Sequence, residues 1–128
     1  MPIVHISLQR GRSSSYITAL SNRLHQALVE TFDVPQDDQF QIVHQFEPGD
    51  MIFDRHYLAG PRSDGWVLIE ITAGRPRSIK KKNDFYRRLV ELLESSPGIA
   101  PCDVMVVVTT TQLEDWSFGD GQITMLNK

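Results

Sequence analysis

The feature that most constrains this chain is a pattern that occurs twice. A strand-like run, an amphipathic helix and a second strand-like run appear in the first half and return about 64 residues later, as in a duplicated unit. In the first copy, Ile3-Val4-His5-Ile6-Ser7-Leu8 reads as a strand. Arg10-Gly11-Arg12 and the serines Ser13 to Ser15 mark a turn and offer a helix N-cap. Ile17, Leu20, Leu24, Ala27, Leu28 and Thr31 then recur at helical spacing, one apolar stripe on a helix of about four or five turns. Pro35 is expected to close that helix. Phe40 to Phe46 reads as the next strand.

The second copy begins with the strand Trp66 to Thr72 and turns through Gly74 and Pro76. Ser78 caps a helix whose expected buried stripe is Ile79, Phe85, Leu89, Leu92 and Leu93, and Ser96-Pro97-Gly98 stops it. The continuous apolar run Val104 to Val108 predicts a central strand buried on both faces. Crossovers of this length make each strand pair parallel. The expected fold is therefore α+β: duplicated β-α-β units forming a four-stranded sheet with two helices on one face. We read one domain over residues 1–128, with halves at about 1–60 and 61–128. The other face of the sheet needs cover, and in so small a chain self-association supplies it most readily. Between the halves, residues 47–65 read as a mobile or interface-forming loop, with Met51-Ile52-Phe53 as a short edge strand or hairpin arm. The tail from Thr109 reads as a polar loop ending in a short extended piece.

Composition narrows the partners. The net charge of −3 lacks the basic footprint of a nucleic-acid binder. No apolar run reaches membrane-spanning length and no signal-peptide core is seen, so we expect no membrane partner and a cytoplasmic location. The one cysteine, Cys102, can form no internal disulfide and reads as structural. His5, His25, His44 and His56 show no ligand spacing, so no metal is expected, and no cofactor either.

Two short stretches carry chemistry. Met1 precedes a small residue, Pro2, and such methionines are usually trimmed. Trimming would leave the secondary amine of proline as a terminus able to act as general acid or base, held by the strand that follows. In Arg75-Pro76-Arg77, proline extends the chain at Arg75, so the two arginines point the same way about 7 Å apart at their roots. They lie just past the carboxyl end of a strand, where they can fork onto a carboxylate, or stand as solvated turn residues. Lys80-Lys81-Lys82 would add a positive field. Asp38, just before the second strand, can orient a water or an amine. Trp116 and Phe118, two apart in a glycine-containing tail, can wall an apolar pocket or pack on a neighbouring subunit.

Taken together, Pro2, the Val34-Pro35 and Asp38 segment, Pro48-Gly49 within Gln45 to Met51, Arg75-Pro76-Arg77-Ser78 and Asp115-Trp116-Ser117-Phe118-Gly119 give a resemblance. The chain resembles the tautomerase superfamily nearly end to end, and within it the malonate semialdehyde decarboxylases. The resemblance implies a homotrimer with active sites near subunit interfaces and a small carboxylate substrate. It implies Pro2 as the catalytic amine, Arg75 and Arg77 as carboxylate holders, and Asp38 as assistant to Pro2 or a water. Trp116 and Phe118 would line the pocket, and Met125 would replace a later aromatic residue there. The implied reaction is decarboxylation of a small β-oxo acid such as malonate semialdehyde. Keto–enol tautomerisation of a 2-oxo acid such as phenylpyruvate, and hydration of an unsaturated acid, would use the same residues. A trimeric binding module that kept the scaffold without the chemistry is the non-enzymatic reading.

Overall fold

A computed structural model of the chain describes residues 1–126. Its elements are β1 (Pro2–Gln9), α1 (Ser14–Thr31), β2 (Gln41–Phe46), β3 (Val67–Ala73), α2 (Ile79–Ser95) and β4 (Val104–Thr110). The sheet order is β2-β1-β3-β4. β1 pairs in parallel with β2, β3 pairs in parallel with β4, and the two central strands run antiparallel with Pro2 opposite Ala73. Each β-α-β copy therefore forms one half of the sheet.

The helices start where side-chain oxygens can cap them. The hydroxyl of Ser13 accepts from the Tyr16 amide and that of Ser78 from the Lys81 amide, both at 3.1 Å. Such a cap is worth about 1 kcal/mol. Period-two burial along β1 sends Pro2, Val4, Ile6 and Leu8 toward the helices, and Val67, Ile69, Ile71 and Ala73 do the same from β3. Leu20, Leu24, Ala27 and Leu28 of α1 meet them together with Phe85, Leu89 and Leu93 of α2. The rings of Phe32 and Phe85 pack 5.2 Å apart at the seam between the two helices. Truncating either ring to alanine is expected to cost about 3–5 kcal/mol, because the cavity left between two helices and a sheet cannot collapse.

The structure corrects several expectations. The run Val104 to Val108 forms an edge strand, and its outward residues Met105 and Val107 are 43% and 45% exposed. An apolar run does not report where the strand lies in the sheet, and here the face with Met105 and Val107 is open. With Ile42 and Phe46 of β2, also exposed, these residues give the open sheet face an apolar character. Ile79 is exposed, because the first residue of α2 points away from the core. Met51-Ile52-Phe53 forms no strand. Phe53 instead stacks on Trp66 at 4.4 Å, and the Arg55 guanidinium lies over the Phe53 ring at 4.4 Å. The loop beyond is tied to itself by Arg62, whose guanidinium donates to the carbonyls of Asp54 and Tyr57 at 3.0 and 2.7 Å. α1 stops at Thr31, ahead of Pro35, and Asp33 takes a left-handed conformation (φ 56°) that turns the chain. The tail is built of turns, with no extended piece through Leu126.

The duplication reaches beyond the helices. Arg10-Gly11-Arg12-Ser13 follows β1, and Arg75-Pro76-Arg77-Ser78 follows β3. Asp38 lies ahead of β2 and Asp103 ahead of β4. Since β1 and β3 are antiparallel and each runs parallel to its partner, one end of the sheet takes Arg75-Pro76-Arg77-Ser78 with Asp38 and the other takes Arg10-Gly11-Arg12-Ser13 with Asp103.

Candidate active site

One end of the sheet collects the start of β1, the approach to β2 and the exit of β3. β3 ends at Ala73, whose carbonyl accepts from both the amide and the hydroxyl of Thr111, at 2.8 and 2.9 Å. The next amide, that of Gly74, donates to the Met1 carbonyl at 3.1 Å. A side chain at Gly74 would meet the Trp116 indole nitrogen at 3.3 Å and the end of Met1 at 3.1 Å. Glycine is thus what lets the N-terminus and Trp116 close on the exit of β3.

Asp38 is brought to the same end by the turn that follows α1. Its amide donates to the Pro35 carbonyl at 3.1 Å, and its carboxylate accepts from the terminal ammonium of Met1. Both partners are mostly buried, at 12% and 15% side-chain exposure. Pro2 itself is buried behind Met1, and with Met1 attached its nitrogen is an amide, not an amine.

The two arginines differ. Arg77 lies half-buried with its guanidinium 4.6 Å over the Phe32 ring. Its Nε and Nη2 donate to the Phe32 carbonyl at 3.0 and 2.8 Å, and Nη1 donates to the Arg75 carbonyl at 2.7 Å. Burial is the main cause that lowers its pKa from the ordinary arginine value; Asp33 acts against this and Arg75 with it. Arg75 is exposed, and no group among the described residues accepts from its guanidinium. Arg77 therefore ties the end of α1 to the exit of β3, and Arg75 presents the freer fork. Two of the lysines are paired: Lys81 with Asp33 at the end of α1, and Lys80 with Asp84 one turn on in α2 at 2.7 Å.

Two cavities flank Met1. One, of about 250 Å³, is lined by Met1, Asp33, Pro35, Arg75, Arg77 and Met125. The other, of about 300 Å³, is lined by Met1, Pro35, Asp38, Phe40, Phe118 and Met125. Asp38, Arg75, Arg77, Phe118 and Met125 are thus gathered around the first residue. Trp116 stands behind this wall: it stacks on Phe118 at 5.6 Å, and its indole N–H donates to Thr111 at 2.6 Å. Phe118 in turn packs on Phe40 at 5.7 Å.

Residues 38–119 match one family of tautomerase enzymes, and residues 2–59 match a second. The chain belongs to the tautomerase superfamily. Two relatives from Bacillus subtilis (strain 168) agree along nearly the whole length. Probable tautomerase YusQ is 36% identical over 98% of this chain and 99% of its own, and probable tautomerase YrdN is 39% identical over 98% and 97%. Among solved structures, malonate semialdehyde decarboxylase superposes with a TM-score of 0.92 at 37% identity, over 98% of this chain and 96% of its own. FG41 malonate semialdehyde decarboxylase, inhibited by 3-bromopropiolate, gives 0.90 at 31% identity, over 98% and 95%.

For this tautomerase-superfamily chain, sequence reasoning missed Phe40 and Met1 as wall residues. In the sequence Phe40 reads as part of a strand, yet it precedes β2 and lies two residues after Asp38. That proximity was the available signal, because residues entering a strand at the same sheet end share one site.

Proposed function

We propose that removal of Met1 converts this end of the fold into the active site of an oxo-acid decarboxylase, with the secondary amine of Pro2 as the reacting group. The observation that carries this reading is the position of Met1, which is bonded to Pro2, pairs with Asp38 and lines both cavities with Arg75, Arg77 and Met125. Taking Met1 away would join the two cavities and bare the ring nitrogen between a carboxylate and an arginine fork. The similarity to malonate semialdehyde decarboxylase, solved in wild-type, proline-to-alanine mutant and inactivated forms and discussed for decarboxylase and hydratase activities, supports the same reading.

In the proposed reaction a small β-oxo acid such as malonate semialdehyde sets its carboxylate against Arg75. Asp38, whose carboxylate accepts from the terminal ammonium of Met1, would accept in the same way from the charged amine of Pro2. The protonated amine donates to the substrate carbonyl oxygen and stabilises the enolate that forms as the carbon–carbon bond breaks and carbon dioxide leaves. The Pro2 ammonium then delivers a proton to the enolate carbon in place of the departed carboxylate, and solvent reprotonates the amine. A carboxylate that loses its charge gains nothing from uniformly tight binding, so the arginine acts by orientation. By this proposal Arg77 contributes charge and holds the Arg75 backbone in place. We further propose that the active form is a homotrimer, since the open sheet face carries Ile42, Phe46, Met105 and Val107 exposed, and fused 4-OT, with the same fold, forms trimers. Burial of those residues against other copies would remove the apolar surface from water.

Keto–enol tautomerisation is the second reading, favoured by the description of both Bacillus subtilis relatives as probable tautomerases. It would need neutral Pro2 as base. A pH–rate profile separates the two. Decarboxylation is expected to fall as pH rises through the pKa of the amine, whereas activity that rises over the same range rejects the acid role.

A further inference from the structure

Resting on the site proposed above, we propose that His25 is a positioning residue for that reaction: from α1 it holds the turn that carries Asp38 toward the N-terminal amine. The segment around Asp38 has little burial to hold it. Between Val34, which is buried, and the start of β2 at Gln41, Asp38 is half-buried and its neighbours Gln36, Asp37 and Gln39 are exposed. A segment with so few buried contacts is easily displaced. The Asp38 amide closes on the Pro35 carbonyl at 3.1 Å, which shapes the turn without tying it to the rest of the fold.

The helix supplies that tie. His25 is a polar residue beside the buried leucines of α1 and is 5% exposed. A polar ring so placed is costly unless it is hydrogen-bonded. Its Nε2 lies 2.7 Å from the Gln36 carbonyl, two residues ahead of Asp38. A carbonyl can only accept, so Nε2 carries the proton and donates. One helical turn earlier on the same face, Ser21 meets the far side of the segment. Gln39 Nε2 donates to the Ser21 hydroxyl at 3.4 Å, that hydroxyl donates to Gln41 Oε1 at 2.5 Å, and Gln41 Nε2 donates to the Ser21 carbonyl at 3.3 Å. The chain is thus fastened to α1 at Gln36 and again at Gln39 and Gln41, with Asp38 in the span between. Ser21 holds side chains, whereas His25 holds the backbone itself. His25 therefore sets where the Asp38 carboxylate stands, and an error of about 1 Å in such a group can cost roughly a hundredfold in rate.

The test is a double-mutant cycle on turnover of malonate semialdehyde, expressed per folded molecule. His25→Phe keeps a ring of similar size and removes the donor; His25→Gln keeps a donor of similar reach. His25→Phe is expected to lower kcat about tenfold and to change KM less than about twofold, because Arg75 follows β3 and is held independently. His25→Gln should recover most of that loss. In an Asp38→Asn background, His25→Phe should cost less than about twofold more, because the group it positions is already gone. If His25→Phe does not fold, His25→Asn, too short to reach the Gln36 carbonyl, takes its place in the cycle. A full tenfold loss on top of Asp38→Asn, a loss that His25→Gln shares in full, or native kcat without the donor overturns the positioning role alone. Native turnover in Asp38→Asn or Pro2→Ala instead rejects the site reading, and with it the reaction that His25 would serve.

Discussion

The two ends of the sheet were built from one template and differ in what they leave open. At one end Arg75-Pro76-Arg77-Ser78 stands near Asp38 and the chain terminus; at the other, Arg10-Gly11-Arg12-Ser13 stands near Asp103. At the second end each part is already engaged. Arg10 pairs with Glu47 at 3.0 Å, and Arg12 lies 5.2 Å over Tyr16. Asp103 is buried and accepts from the amide and hydroxyl of Ser63, at 2.7 and 2.5 Å. Where the first end has a chain terminus, the second has the Trp66–Val67 peptide bond, with no amine to release. Duplication set the frame at both ends; a chain terminus and an arginine unpaired among the described residues distinguish the end at which we propose the chemistry.

The comparison can be broken most severely at its amines. Pro2→Ala is expected to lower turnover by about a hundredfold or more. Its counterpart Val67→Ala should cost about 2 kcal/mol of stability with turnover per folded molecule kept, read by kinetics beside thermal melts. At the exposed arginines, Arg75→Gln should raise KM by about ten- to a hundredfold. Arg10→Gln should leave kinetics intact and change stability by less than about 0.5 kcal/mol, since its ion pair is solvent-exposed. The anchored pair gives a smaller contrast. Arg77→Lys cannot fork onto the Phe32 carbonyl and should cost about 1–3 kcal/mol, whereas Arg12→Lys should cost about 0.5, as seen in denaturant midpoints.

The smallest expected effect is on acid stability. The side-chain hydrogen bond from Lys81 holds Asp33 below the ordinary aspartate value, and that from Arg88 holds Glu30 below the ordinary glutamate value. Folded pKa values below the unfolded ones mean that this stabilisation is full above about pH 4.5 and is lost as pH falls through the folded values. Both groups are exposed, so a slight fall in Tm confined to acid pH is expected, and Lys81→Met should remove the Asp33 part.

The sequence made the helices legible because their caps and stripes are local. Ser13, one of the three serines offered as a cap, and Ser78 cap their helices, and Leu20, Leu24, Leu28, Phe85, Leu89 and Leu93 are buried. The place of β4 was not legible, since the apolar run Val104 to Val108 does not report sheet order. Arg75 and Arg77 could be singled out as a pair from Pro76, but their inequality depends on the Phe32 carbonyl, 45 residues away in sequence. Phe40 was hidden for a related reason: an aromatic ahead of a strand looks like its first residue until the sheet end it faces is known.

The most direct measurement is the intact mass of the purified chain, taken on the same sample whose oxo-acid turnover is assayed. The expected result is a mass lacking Met1, with turnover scaling with the trimmed fraction. Full turnover from a chain that still carries Met1 would contradict the account, because an amide nitrogen at Pro2 can neither hold nor deliver the proton.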